Sequence, residues 1–565
     1  MAMTDTRPDD VAHDHHESRP SLASFDAALG SGDHKTTGRL WIGAGALMLA
    51  AALVVSLVAA IEHVDLGSLS MFDQEGQFVQ IWSMGRILLL LGGLVPILIG
   101  IATFVVPLQV GASSLAFPRG AATAFWCWLV STSLLIISYI LNGGPAGGRT
   151  DYVVLWTLAL GAMVLSVLWA MVCIATTIVG ARAPGMDLDQ VPVSAWSFFV
   201  FSLLGLFILP VVLGQLVLVY LDVKYGFLFD RSSRLSLLGI GDSLTLAPTL
   251  YWVGIPTLGI AIEAIAVHTG RPVRFHRSVM VALGGLGILS FGVDLLSYSS
   301  RGVAPVFDNG VLVVGLIVAA LPVLAALALA GESLKTGSFR VRTPLVAGLL
   351  GGLVLLLAVV ASILGTVWPI VTFIEDVFDT NVTLDSSFDL TATAFHEGIR
   401  ALVMGAGVLG VIAGVHHWGH KIWGRSLDDR LGLLTTLTAA GGAIVWGIGG
   451  VVNGFLGEPA LPIISNDVQD GVEALNGVMA AGAGLLAAAA VLLLLNIART
   501  AFGGGSSNEP WQGVTLEWAT ASPPIAGNFA TAPRVTSATP ILDMVSNEVA
   551  TTVSVDEEAS EGVSA

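Results

Sequence analysis

The chain reads as an all-α, polytopic membrane protein, and three observations predict this. Hydrophobic residues make up 54% of its 565 positions and charged residues only 12%, against roughly 25% charged in a soluble domain. Mean hydropathy is +0.82. Apolar runs recur along most of the chain, each of the roughly 20 residues needed to span a bilayer.

The elements follow in order. Residues 1–38 form a polar, acidic N-terminal tail with no short apolar region of the kind a cleaved leader carries. Its "HDHHESRP" offers imidazoles to a metal, but the composition suits a solvated segment. Residues 39–502 form one transmembrane domain, with twelve spans predicted near 40–61, 81–107, 122–142, 152–181, 191–221, 244–267, 278–298, 309–331, 345–371, 391–417, 432–456 and 472–498. Residues 503–565 are rich in Gly, Ser, Thr, Ala and Pro and end in "DEEASEGVSA", which predicts a largely irregular tail without a packed core.

Orientation follows from Lys and Arg in the connections. With both termini inside, the inner connections hold twelve such residues, among them Arg271, Arg274, Arg277, Lys421, Arg425 and Arg499. The outer ones hold five: Arg149, Lys224, Arg231, Arg234 and Arg301. This predicts cytoplasmic termini and a multi-pass protein of the cell membrane. The net charge of −17 argues against a nucleic-acid partner. The two cysteines, Cys127 and Cys173, lie in predicted spans and read as small apolar residues. No C-x-x-C pair exists to attach a c-type haem.

Five segments carry a sharper signal. "PWQGVTLEWATASPPIAGNF" (510–529) resembles the C-terminal signature of subunit I of haem-copper oxidases, the cytochrome c oxidase type. "DHKTTGRLWI" (33–42) resembles that family's start, and "VPLQVGASSLAFPRGAATAFW" (106–126) its loop between spans two and three. "ILPVVLGQLVLVYLDVKYGFLFD" (208–230) resembles its fifth span, and "GVHHWGHKIWGRSLDDRLG" (414–432) the loop after its tenth. The resemblance implies the twelve-helix bundle of that family, two haems, one copper, and oxygen reduction with proton pumping in a complex with other membrane subunits.

The family's chemistry is carried by histidines, because neutral imidazole ligates both iron and copper. This chain has eleven, and none between His63 and His268. The second span, where the resemblance implies a haem ligand, places Met84 or Gly85 there. A methionine thioether ligates iron in some haem proteins, but Met on an apolar helix is more often packing.

The sixth span tells the same story. The family's H-P-E-V-Y becomes Ala247, Pro248, Thr249, Leu250 and Tyr251, followed by Pro256. The prolines predict a kinked helix, and with Tyr251 they form the retained scaffold. The implied copper ligand is gone. The copper His-His pair falls on Leu296 and Ser297, and the tenth-span H-x-H on Glu397 and Ile399. His396 is one residue away and points elsewhere, since a helix turns about 100° per residue. The proton-channel lysine falls on Ala326, and the propionate-binding arginines on Ile463 and Ile464.

These residues serve one function and are missing together. The sequence therefore predicts no catalytic residue, no metal site and no cofactor, on a fold that keeps its scaffold. In their place it puts ionisable residues inside spans: Arg86, Glu263, Asp294, Glu397 and Arg400. Such groups are costly in lipid and face the bundle interior or a partner. They are expected to form an intramembrane charge cluster, with Arg86 and Glu397 paired in the low-spin haem volume. Three functions compete: a non-redox accessory subunit of a membrane complex, a working terminal oxidase, and a proton or ion transporter on the same bundle.

Overall fold

The computed structural model describes residues 31–64, 71–72, 75–145, 147–226, 247–299, 305–335, 340–378, 390, 393–459, 472–503, 511, 513–529 and 531–544. Within them the chain is helical, with twelve long helices in sequence order. These are α1 (His34–Glu62), α2 (Glu75–Gln109), α3 (Pro118–Ile140), α4 (Thr150–Gly180), α5 (Val193–Tyr225) and α6 (Ala247–Thr269). The second half holds α7 (His276–Ser299), α8 (Pro305–Lys335), α9 (Thr343–Phe378), α10 (Ala394–Trp423), α11 (Asp429–Phe455) and α12 (Val472–Ala501). Ten of these, all but α7 and α8, are long and apolar enough among the described residues to cross a membrane.

Each start has a local reason. α1 begins before residue 39, because Asp33 caps it by accepting from the Lys35 and Thr36 N–H groups. Asp428 caps α11 in the same way. Gly226 and Gly424 end α5 and α10 in the left-handed conformation that glycine adopts without cost. On α6, Pro256 lies inside the helix, where a proline bends it, while Pro248 stands at the edge of the described residues.

Three helices are central. The most apolar stretches of α2, α6 and α10 are 100% buried, against 39–61% in the other candidate spans. Around them, sequential helices pack as neighbours, α12 returns to α1, and α6 reaches both α9 and α10. Lipid supplies little hydrophobic force between helices, so close backbone approach through small residues matters most. The α10–α11 crossing shows this: a side chain on Gly398 would run into the Val451 backbone, and one on Gly454 into the backbone of Phe395.

The second helix is not α-helical throughout. Leu88–Leu94 form a π-helix between two α-helical halves. A π-turn accommodates one extra residue and shifts the facing of all that precede it. This local change lies one residue after Arg86, next to the Met84 and Gly85 positions where the resemblance implies a haem ligand.

The C-terminal segment corrects the expectation of an unpacked tail. It is irregular, with a short 3-10 turn at Leu516–Ala519, but Leu516, Trp518 and Val535 belong to the main apolar core. Lys35 of α1 donates to the Ile525 carbonyl at 2.8 Å, and Asn528 to the Ala112 carbonyl at 2.8 Å. Apolar side chains spread thinly through a polar sequence escape a composition reading, yet they cover the exposed ends of helices.

Candidate functional site

A partly open cavity of about 890 Å³ lies among α1, α2, α10, α11 and α12. Its walls are mostly apolar, with Leu53, Leu89, Met404, Val408 and Trp446 among them. Its polar side chains include Arg86 from α2 and Glu397 and Arg400 from α10. The two helices run through the buried middle of the bundle, their most apolar stretches fully covered, so each charge must find its partner inside the bundle.

The structure brings these three residues together. An Arg86 Nη2 nitrogen forms an ion pair with Glu397 Oε1. Arg400 Nη1 donates to both Glu397 oxygens at 2.6 and 2.7 Å, one helical turn along the same face. The Arg86 guanidinium lies over the Trp82 ring, 3.2 Å from its centroid, and Arg400 approaches the same ring at 6.0 Å. Trp82 and Arg86 share a face as an i, i+4 pair, so the indole supports the cation from its own helix.

A second polar set borders the cavity. His63 at the end of α1 lies 3.6 Å from the Glu458 carboxylate. Asn476 donates to Glu458 at 3.5 Å and accepts from Asn453 at 2.6 Å. Sequence reading missed this set, since no spacing links residues 63, 453, 458 and 476.

The expected five-residue cluster does not form as one group. Glu263 of α6 lies instead with Ser194 of α5, at 3.4 Å, and Thr515 of the C-terminal segment, at 3.5 Å. The reason is position along the helix. Glu263 sits six residues before the end of α6 at Thr269, whereas Glu397 sits at the start of α10. Asp294 lies on α7, with its side chain outside the described residues. Met84 packs against the apolar core, and His396 is half-buried with its ring 5.7 Å from that of Phe395. Tyr251 is buried on α6.

An apolar bundle whose central members are α2, α6 and α10 defines a polytopic helical membrane protein. A chain in the solved structure of a heme-copper terminal oxidase dimer shares the fold, with a TM-score of 0.66 and 14% identity over 89% of this chain and 88% of that one. The profile of the family described as Cytochrome C and Quinol oxidase polypeptide I matches residues 36–485, and the chain belongs to that family. It is 28% identical to a putative cytochrome c oxidase subunit 1-beta of Streptomyces coelicolor, over 91% of this chain and 89% of that protein. It is likewise 28% identical to cytochrome c oxidase subunit 1 of Bacillus subtilis, over 79% of this chain and 72% of that one. It is a cytochrome c oxidase subunit I-like membrane protein.

The family points to haems and copper, so the donors present must be compared with what those groups need. A low-spin haem needs imidazole or thioether from facing helices. The α2 wall offers neither, only Trp82, Arg86 and Leu89; α10 adds the Met404 thioether, but its Glu397 and Arg400 are engaged with each other and Glu397 with Arg86, which lies over Trp82. The one lining histidine, His63, faces Glu458. Copper would need the positions held by Ala247, Leu296 and Ser297, none of which carries a donor imidazole. Among the described residues no three His, Cys, Asp or Glu side chains converge as a metal site. This donor set does not fit the family's cofactors.

Proposed function

We propose that the protein is a non-redox paralogue of oxidase subunit I, acting as a structural or accessory subunit of a membrane complex. One observation supports this reading: in the Arg86–Glu397–Arg400 cluster, Glu397 occupies a tenth-span position where the family resemblance puts a haem ligand, and Arg86 lies beside the second-span one at Met84 or Gly85. The Glu397 carboxylate is already held by two guanidiniums, and none of the three side chains is the imidazole or thioether that a low-spin haem takes. The lost copper, proton-channel and propionate positions are consistent with it. On this reading the protein carries neither haem nor copper, sits in the cell membrane with both termini in the cytoplasm, and contacts other membrane subunits.

The names of the relatives favour a second reading, a working terminal oxidase. The decisive experiment is a pyridine haemochrome assay with metal analysis on protein expressed with ample haem. The expected result is no stoichiometric haem or copper and a flat reduced-minus-oxidised spectrum. Haem and copper in fixed proportion to the chain would overturn the proposal. A proton or ion flux into liposomes, specific to this protein, would instead favour a transporter.

A further inference from the structure

At the opposite end of α6 a second buried polar group involves no cofactor position. Glu263 is 3% exposed and Glu517, in the C-terminal segment, 0%. They are joined through two side chains. Gln109 at the end of α2 donates to Glu517 Oε1 at 2.9 Å and to Ser194 Oγ at 2.8 Å, and Ser194 reaches Glu263 Oε2 at 3.4 Å. Thr515 bonds the other Glu263 oxygen at 3.5 Å. We propose that Glu263 and Glu517 form one proton-binding site, whose proton latches the C-terminal segment onto the membrane bundle.

The argument is one of charge and donors. Among the described residues neither carboxyl takes part in a salt bridge. Two uncompensated carboxylates in one buried site repel each other and lose their hydration, so one proton between them is the lower-energy state. The donors around the pair are all neutral. Gln109 gives one of its two amide hydrogens to Ser194 rather than to a carboxyl, the single Ser194 hydroxyl hydrogen is shared between Gln109 Oε1 at 3.2 Å and Glu263 at 3.4 Å, and Thr515 has one hydroxyl hydrogen. Glu517 Oε2 is buried and receives no hydrogen bond of normal geometry, with the Trp418 indole the group that faces the carboxyl from α10, so this oxygen is where a proton would sit.

The site also has a route to water. Glu263 and Thr515 line an open pocket of about 340 Å³ that is walled by Val273, His276 and Val514. The other polar groups on this face leave the pair without a counter-charge. On α5 the Ser194 N–H faces Glu263. On α10 the Trp418 indole faces Glu517, and His417 and Lys421 lie against the Trp518 ring, both at 5.5 Å. The Lys421 amine donates to the Thr520 carbonyl at 2.7 Å. On α6, His268 faces His417 at 6.3 Å, and His276 of α7 is in the pocket.

The latch has a definite sign. Burial raises the Glu517 carboxyl above its ordinary value, which is about 4.3 in water. The docked segment therefore binds more protons than the undocked one. Docking weakens as pH rises from that ordinary value through the raised one, by up to about tenfold per pH unit for one linked proton.

The test uses the full chain in lipid nanodiscs. Infrared difference spectroscopy with labelled glutamate should show a protonated carboxyl band at neutral pH, absent from Glu263→Gln. Hydrogen exchange over 513–520, corrected for intrinsic rates, should lose up to about tenfold protection per pH unit on the alkaline side. In Glu263→Gln, which leaves the C-terminal signature intact, that slope should be flat. Glu517→Gln should behave likewise. Absence of the band at neutral pH, or a slope that survives in both variants, would overturn the site. So would a band that exists only without sodium, which would make the ligand a metal cation. Neither readout involves haem.

Discussion

Arg86 on α2 and Glu397 on α10 form an ion pair across the centre of the bundle, and Arg400 holds the same carboxylate from one turn along α10. The three-membered arrangement changes what each substitution should do. A simple pair would predict that losing either partner strands the other. Here Glu397 has two cationic partners among the described residues, and both arginines draw on that one carboxylate.

Glu397→Leu should therefore be the most damaging change in the cluster, since it leaves two guanidiniums together without their carboxylate. The expected loss is about 3–5 kcal/mol. Arg86→Leu should cost less, about 1–2 kcal/mol, mainly the stacking on Trp82, because Glu397 and Arg400 remain a neutral pair. Unfolding of the purified protein in mixed micelles measures both. An Arg86 variant as unstable as the Glu397 variant would contradict this ordering.

The α10–α11 crossing gives a matched pair of glycine tests. Gly454→Ala puts a methyl group into the Phe395 backbone and should destabilise by about 1–3 kcal/mol, the cost of overpacking. Gly441→Ala, on the same helix, meets nothing within 4 Å and should be neutral or slightly stabilising. Thermal unfolding of the two variants side by side decides it.

Trp518 ties the C-terminal segment to the bundle. It is 7% exposed and its ring lies 5.5 Å from that of His417. Trp518→Ala should cost about 3–5 kcal/mol and make the segment after Gly503 a faster target for added protease. Unchanged stability and cleavage would show that the segment is only draped on the helices.

Membrane orientation is open to a labelling test. In a chain with Cys127 and Cys173 replaced by serine, Ser21→Cys and Ser564→Cys should resist a membrane-impermeant maleimide on intact cells and react after lysis. Gly148→Cys, in an outer connection, should react without lysis. The opposite pattern would invert the topology drawn from Lys and Arg.

The sequence alone determined the helices and their order. In lipid every backbone polar group must be satisfied within its own segment, so apolar length translates directly into a spanning helix. It also carries the ground of the proposed function: eleven histidines can be counted, and Ala247, Met84 and Glu397 are read at positions where the family resemblance implies imidazoles. The Arg86–Glu397 contact was legible because family geometry sets α2 against α10. What only the tertiary structure decided was how the remaining charges divide. Glu263 finds Thr515, 252 residues away, and Gln109 finds Glu517, 408 residues away. Hydropathy carries no information about which helix ends meet, and an irregular segment has no period from which its buried face could be read. Those contacts are set by packing at the ends of the bundle, where a buried carboxyl must take whatever donor the neighbouring helix presents.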